Sequence, residues 1–184
     1  FSRGESRNSI LAKAKTAMKN ELAAAFAGRD KDLPLTTEKE LLTLASIVEK
    51  ETGLASERGK VASVFVNRLN LGMKLQTDPT VIYAVTNGQM NLGRPLNKKD
   101  LTADSPYNTY VYAGLPPAPI CSPGREAIRA AAHPEKTKYL YFVADGLSGG
   151  HRFARSLTEH NRNVTMYRRS KKTLKSNAEN GRLK

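Results

Sequence analysis

Hydrophobic and polar positions recur with helical spacing in five stretches of the chain, and the best punctuated of them runs from Thr37 to Gly53. At about 100° per residue, Leu41, Leu44, Ala45, Ile47, Val48 and Thr52 share one face and Leu42 widens it. Lys39, Thr43, Ser46 and Lys50 are left for solvent. Thr37 followed three residues later by Glu40 is a capping-box start, and Gly53 is the expected C′ stop. The pattern predicts a mostly buried helix.

The same reading places an amphipathic helix of structural role from Ser6 to Gly28, with Ile10, Ala14, Ala17, Met18, Leu22 and Ala25 at helical spacing. A third helix starts near Ser56, buries Val61, Val64, Phe65 and Leu69, and stops at Gly72. Joined across residues 53–56, the second and third helices form a hairpin. Farther on, Ser122-Pro123 caps a helix through Ile128 and Ala132 that stops at Pro134. Tyr139-Leu-Tyr-Phe-Val-Ala144 is the clearest strand, and the glycines up to Gly150, followed by His151-Arg-Phe153, read as a hairpin return. Ser156 with Glu159 is a second capping box, opening a basic helix toward residue 179. The order predicts an α+β fold, mostly helical, with a loop-rich insertion and a small β-hairpin.

That insertion, Met73 to Cys121, has weak periodicity and holds six of the nine prolines. Loops of this kind carry sites. Asp78-Pro79 reads as an N-cap and first-turn pair opening a short helix through Val81, Ile82 and Tyr83, and Asn97 to Asp100 as a further turn. Gln76, Tyr107, Asn108 and Tyr110 combine amide hydrogen bonding with aromatic faces, as a sugar-binding cleft requires. The alternative is that they satisfy loop backbone.

Glu51 stands one turn beyond Ile47 and Val48, so its carboxyl projects from an apolar stripe. Burial disfavours the charged form, which raises the pKa and suits the group to deliver a proton near neutral pH. Glu49 is the rival, but two residues on a helix amount to about 200° of rotation, so the two carboxylates face different ways. On helix geometry alone, both glutamates flanking a core helix, salt-bridged or solvated, remains an alternative.

Composition narrows the classes. At 184 residues with 39% hydrophobic positions the chain supports one core with extensions. Its first residue is Phe, which suggests a fragment or a processed chain. No apolar run approaches the roughly 20 residues of a membrane span. Of the formal charge of +13, residues 161–184 supply +7, from eight basic residues and one acidic. Arg168, Arg169, Lys171, Lys172 and Lys175 there read as a solvated helix face, and no nucleic-acid partner is expected. Cys121 is alone, the three histidines lack metal spacing, and no phosphate loop, zinc signature or nucleophile elbow is present. These residues predict no metal site.

Seven blocks in one unbroken order resemble a known family. They are Ala45-Ser-Ile-Val-Glu-Lys-Glu-Thr52, Leu75-Gln-Thr-Asp-Pro-Thr-Val-Ile-Tyr83, Tyr107-Asn-Thr-Tyr110, Gly114-Leu-Pro-Pro117, Ser122-Pro-Gly124, Tyr139-Leu-Tyr-Phe-Val-Ala144 and Glu159-His-Asn161. Together they resemble the YceG-like (MltG) family of endolytic murein transglycosylases. The resemblance implies a lysozyme-like catalytic domain at 36–165, an N-terminal helical extension at 1–35 and a basic C-terminal helix and tail at 166–184. It implies an enzyme that cleaves the β-1,4 bond between N-acetylmuramic acid and N-acetylglucosamine without water, endolytically, on nascent strands whose elongation it ends. The catalytic glutamate of the family's Glu-Thr pair maps onto Glu51. Gln76, Asp78, Tyr107, Asn108 and Tyr110 map onto the cleft lining. Ser122 departs from the Asn that many relatives carry before Pro-Gly.

The resemblance further implies a reaction that needs no metal or organic cofactor, and peptidoglycan strands as partner, with cell-wall synthesis enzymes beside them. It also implies residence at the periplasmic face of the inner membrane, through an anchor N-terminal to this chain. Two other classes stay open: a hydrolytic muramidase, for which Asp78 is the second carboxylate available, and a non-enzymatic polyanion binder working through the basic tail.

Overall fold

The computed structural model describes residues 4–89 and 91–181, and the backbone alone for 174–181. The elements in order are α1 (Arg7–Gly28), α2 (Glu38–Glu51), a 3₁₀ turn (Ala55–Glu57), α3 (Arg58–Asn70), α4 (Asp78–Thr86), α5 (Lys98–Leu101), α6 (Arg125–Ala132), β1 (Tyr141–Ala144), β2 (His151–Ala154) and α7 (Leu157–Gly181). The architecture is α+β and mostly helical, as the periodicity predicts.

Helix α2 is the centre, with α1, α3, α4 and α6 packed around it. Its capping box forms as read: Thr37 accepts from the Glu40 amide and the Glu40 carboxylate accepts from the Thr37 amide, at 3.2 and 3.0 Å. Leu41, Leu44, Ala45, Ile47 and Val48 are fully buried. So, against expectation, are Thr43 and Ser46. The Ser46 hydroxyl donates to Thr43 O at 2.7 Å and accepts the Ile120 amide at 3.0 Å, while the Thr43 hydroxyl donates to Lys39 O. A short hydroxyl that satisfies itself on backbone can be covered. The proline-rich segment at Ile120 covers this one.

The far end of α2 also departs from the sequence reading. Gly53 is not a left-handed cap; the helix leaves through Thr52 in extended conformation, φ −141°, with its amide on Val48 O. Helix α3 does stop as expected, because Gly72 at φ +65° lets the Met73 amide return to Arg68 O at 2.9 Å. Helix α4 has Thr77, not Asp78, as N-cap residue. Helix α6 is preceded by Gly124, not by a Ser122 cap, and the Glu49 carboxylate receives the Gly124 amide at 3.1 Å. Glu49 therefore ties α2 to the start of α6.

The N-terminal helix packs into the core through Leu22, with Met18, Ala25 and Phe26 against it. The hairpin pairs Phe142 with Phe153 and Val143 with Arg152 in antiparallel register. Phe142 meets Phe65 of α3 edge-on at 5.9 Å, and Tyr141 stacks on His160 of α7 at 5.2 Å. The hairpin is thus clamped between α3 and α7. Arg168, Arg169, Lys171 and Lys172 are exposed on α7; the Lys175 side chain lies outside the described residues.

Candidate active site

Glu51 is the last residue of α2. The chain then turns away extended through Thr52, which leaves the Glu51 carboxyl at the helix end. It opens into a cavity of about 320 Å³ whose wall is built by Phe65 and Arg68 from α3, Gln76 and Asp78 before and at the start of α4, Tyr110, and Phe142 from the hairpin. The Thr77 hydroxyl donates a hydrogen bond to Glu51 Oε1. Thr77 is itself buried and held on both sides: its amide donates to the Thr109 hydroxyl at 3.1 Å, and its carbonyl accepts from the Thr80 hydroxyl at 2.7 Å. The residue before it, Gln76, sits at φ +51° with its amide on Thr109 O. A left-handed non-glycine residue is strained and needs surrounding structure to hold it. Here the Thr109 segment does so.

Burial pushes the Glu51 carboxyl above its ordinary value; the Thr77 hydrogen bond opposes this, the negative charge of Asp78 adds to it, and electrostatic interactions with His151 and Arg68 oppose it. The group is therefore a proton donor closer to neutral pH than a solvated glutamate. Tyr110 donates its hydroxyl to Asp78 Oδ1 at 2.7 Å. Its phenol is pushed up by burial, and further by that bond and by the charge of Asp78. It stays a neutral donor. Arg68 is 8% exposed and spends its guanidinium on the carbonyls of Leu140, Leu75 and Lys74 at 2.7, 2.7 and 3.1 Å. It locks hairpin, α3 and the loop before α4 into one frame and brings a positive charge near Glu51.

Of the residues singled out from sequence, Glu51, Gln76, Asp78 and Tyr110 converge on this cavity. Tyr107 and Asn108 do not. The Tyr107 ring lies against Tyr83, centroids 4.7 Å apart. Asn108 is fully buried: its amide group donates to Leu101 O and Ala103 O at 3.1 and 2.9 Å, and its oxygen accepts the Tyr110 amide at 3.0 Å. With every polar atom spent on backbone, it shapes the loop that presents Tyr110. Arg68 and Thr77 are the site residues that sequence reasoning missed. Arg68 lies one turn beyond Val64 and Phe65 on the apolar stripe of α3, and a cation there was the available signal. Thr77 carried none, since only the fold brings it to Glu51. Among the described residues, no three His, Cys, Asp or Glu side chains converge as metal ligands.

A model of the YceG-like family matches residues 1–166. The chain belongs to the YceG-like family. Similar proteins include the endolytic murein transglycosylase of Bacillus subtilis, 49% identical over 131 residues, which covers 71% of this chain and 35% of that protein. That of Streptococcus pneumoniae strain R6 is 37% identical, over 86% of this chain and 31% of its own length. A crystal structure of a yceG-like protein from Listeria monocytogenes superimposes with a TM-score of 0.67 at 39% identity, over 84% of this chain and 46% of that one. The YceG-like chain thus spans about a third of the length of these curated relatives and under half of the solved one.

Proposed function

We propose that this YceG-like chain is the catalytic part of a peptidoglycan lytic transglycosylase that acts endolytically on glycan strands. The observation that carries the reading is Glu51: a carboxyl at the C-terminal end of α2, its proton held by burial of the group, facing a cavity lined by Gln76, Asp78 and Tyr110. The relatives named endolytic murein transglycosylases support the substrate class.

The chemistry follows from one acid. The Glu51 proton passes to the glycosidic oxygen, and the bond from that oxygen to the muramic acid anomeric carbon breaks. The 6-hydroxyl oxygen of the same sugar then bonds to the anomeric carbon, and its proton goes to the Glu51 carboxylate, which is restored for the next turnover. No water is consumed. The sugar's own hydroxyl is already held near the reacting carbon, and that proximity favours it over solvent. Thr77 fixes the carboxyl's orientation, and Gln76 and Tyr110, which line the same cavity, hydrogen-bond the sugar. The same proposal assigns the protein to the periplasmic face of the inner membrane, beside cell-wall synthesis enzymes, where it ends elongation of nascent strands.

The test is a murein digest in heavy-oxygen water, read by mass spectrometry. The expected products end in 1,6-anhydro-muramic acid, unlabelled, lighter by one water than reducing ends and inert to borohydride. Glu51→Gln should abolish them, whereas Glu49→Gln, whose carboxylate serves Gly124, should retain turnover. Labelled, reducible ends would make the enzyme a muramidase and give Asp78 the role of activating water.

A further inference from the structure

A second cavity, of about 410 Å³, lies on the other side of the first turn of α4 from Glu51. Lys50 borders it while Glu51 borders the first; Pro79 borders it while Asp78 borders the first. Neighbouring residues at the end of α2 and at the start of α4 thus border one space each. The volume falls in the roughly 300–1,000 Å³ range of small-ligand pockets.

The walls are built, not incidental. Pro79, Ile82, Tyr83 and Thr86 recur at helical spacing and present one stripe of α4 to the cavity. Tyr83 is wedged in place: Tyr107 lies against its ring, and the chain doubles back at Asn87 and Gly88, φ +52° and +70°, so that Gly88 packs on it from another side. A Cβ at Gly88 would meet Tyr83 Cε2 at 2.6 Å. Glycine is required there both by φ and by contact. The Thr86 hydroxyl donates to Ile82 O at 2.7 Å and accepts the Gly88 amide at 3.3 Å, which closes the turn.

The lining pairs an apolar wall of Pro79, Ile82 and Tyr83 with a hydroxyl and the amide side chains of Gln89 and Asn91. That combination suits a pyranose, which has an apolar face and a rim of hydroxyl and acetamido groups. Lys50 adds one charge. It is exposed, and no carboxylate lies within ion-pair distance of it among the described residues. A strand whose scissile bond sits at Glu51 and which continues across the first turn of α4 would enter this space.

Resting on the function proposed above, we infer that this cavity is a second saccharide subsite, which holds a muramyl residue of the same strand and takes its lactyl carboxylate on Lys50. The subsite prefers an acidic sugar to a neutral one of equal length.

The experiment uses the chain carrying Glu51→Gln, titrated with two tetrasaccharides of equal length: a peptide-free one alternating N-acetylglucosamine and N-acetylmuramic acid, and one of N-acetylglucosamine only. Affinities are measured calorimetrically and contacts by amide shifts in NMR. The acidic fragment should bind about 3–5-fold tighter, the span of one exposed ion pair, and shift the amides of Lys50, Ile82 and Thr86. Adding Lys50→Gln should erase the preference. A preference that survives Lys50→Gln, or shifts confined to the Glu51 cavity, would overturn the subsite. Murein digestion by the unaltered chain runs alongside: cleavage with either overturning result removes the subsite alone, and absence of cleavage removes the function and the subsite together.

Discussion

Thr77→Val isolates one hydrogen bond to the proposed acid. Valine keeps the shape and the Thr77 backbone bonds to Thr80 and Thr109 but deletes the hydroxyl that donates to Glu51. A hydrogen bond to a charged group is worth about 1.5–3 kcal/mol. Its loss removes a contact that favours the charged form, so the pH at which Glu51 deprotonates moves further up. Glu51 must be protonated to act, so activity is lost as pH rises through its pKa. The variant's alkaline limb should therefore move to higher pH while the maximal rate stays within about tenfold. Stability gives an independent check. A carboxyl whose folded pKa is raised contributes stability that is full below its unfolded value and is lost as pH rises through the folded one. The variant deepens that loss, so Thr77→Val should cost more at pH 8 than at pH 4, measured by urea denaturation at both. A uniform drop in rate with the limb unmoved, or equal destabilisation at both pH values, would refute the view that this hydroxyl sets the charge state of Glu51.

Other expectations follow from single contacts. Asn108→Ala should cost about 2–4 kcal/mol in urea denaturation, since three backbone groups lose their partner inside the loop; a change below about 1 kcal/mol would show that the loop is held otherwise. Ser46→Ala should cost about 1–3 kcal/mol, because the buried Ile120 amide is left unpaired; thermal unfolding measures it. Asp100 accepts two bonds from Arg94, at 2.6 and 2.9 Å, and the Asn97 amide, at 2.8 Å. These hold its carboxyl at about 2, so the loop's ion pair should be intact above the ordinary carboxylate value and fail as pH falls through about 2. Carboxyl-carbon NMR reads this titration, and Arg94→Gln should move it back up toward the ordinary range.

Helix existence was legible because it depends on neighbours in sequence: spacing at three and four residues, a Thr-Glu capping box, a glycine after α3. The hairpin and the α+β class followed for the same reason. Glu51 stood out because a carboxylate on an apolar stripe conflicts with its surroundings, but that pattern left a salt-bridged or solvated helix end open, and it was the resemblance to the family's Glu-Thr pair that singled it out. What failed were inferences about which polar groups meet water. Thr43, Ser46 and Asn108 look alike in sequence to Gln76 and Tyr110, yet the first three spend their polar atoms on backbone and the last two face the cavity. Only segments distant in the chain decide that: residues 120–121 cover Ser46, and the 101–103 turn captures Asn108.

The chain's local chemistry thus determined where helices start, which stripes are apolar and which carboxyl is out of place. Tertiary structure alone decided what Glu51 faces, because Thr77, Arg68, Tyr110 and Phe142 come from four separate segments. Their burial is a property of the assembled surface. It sets the Glu51 proton affinity through solvent removed and charges brought near, and neither exists until the chain has folded.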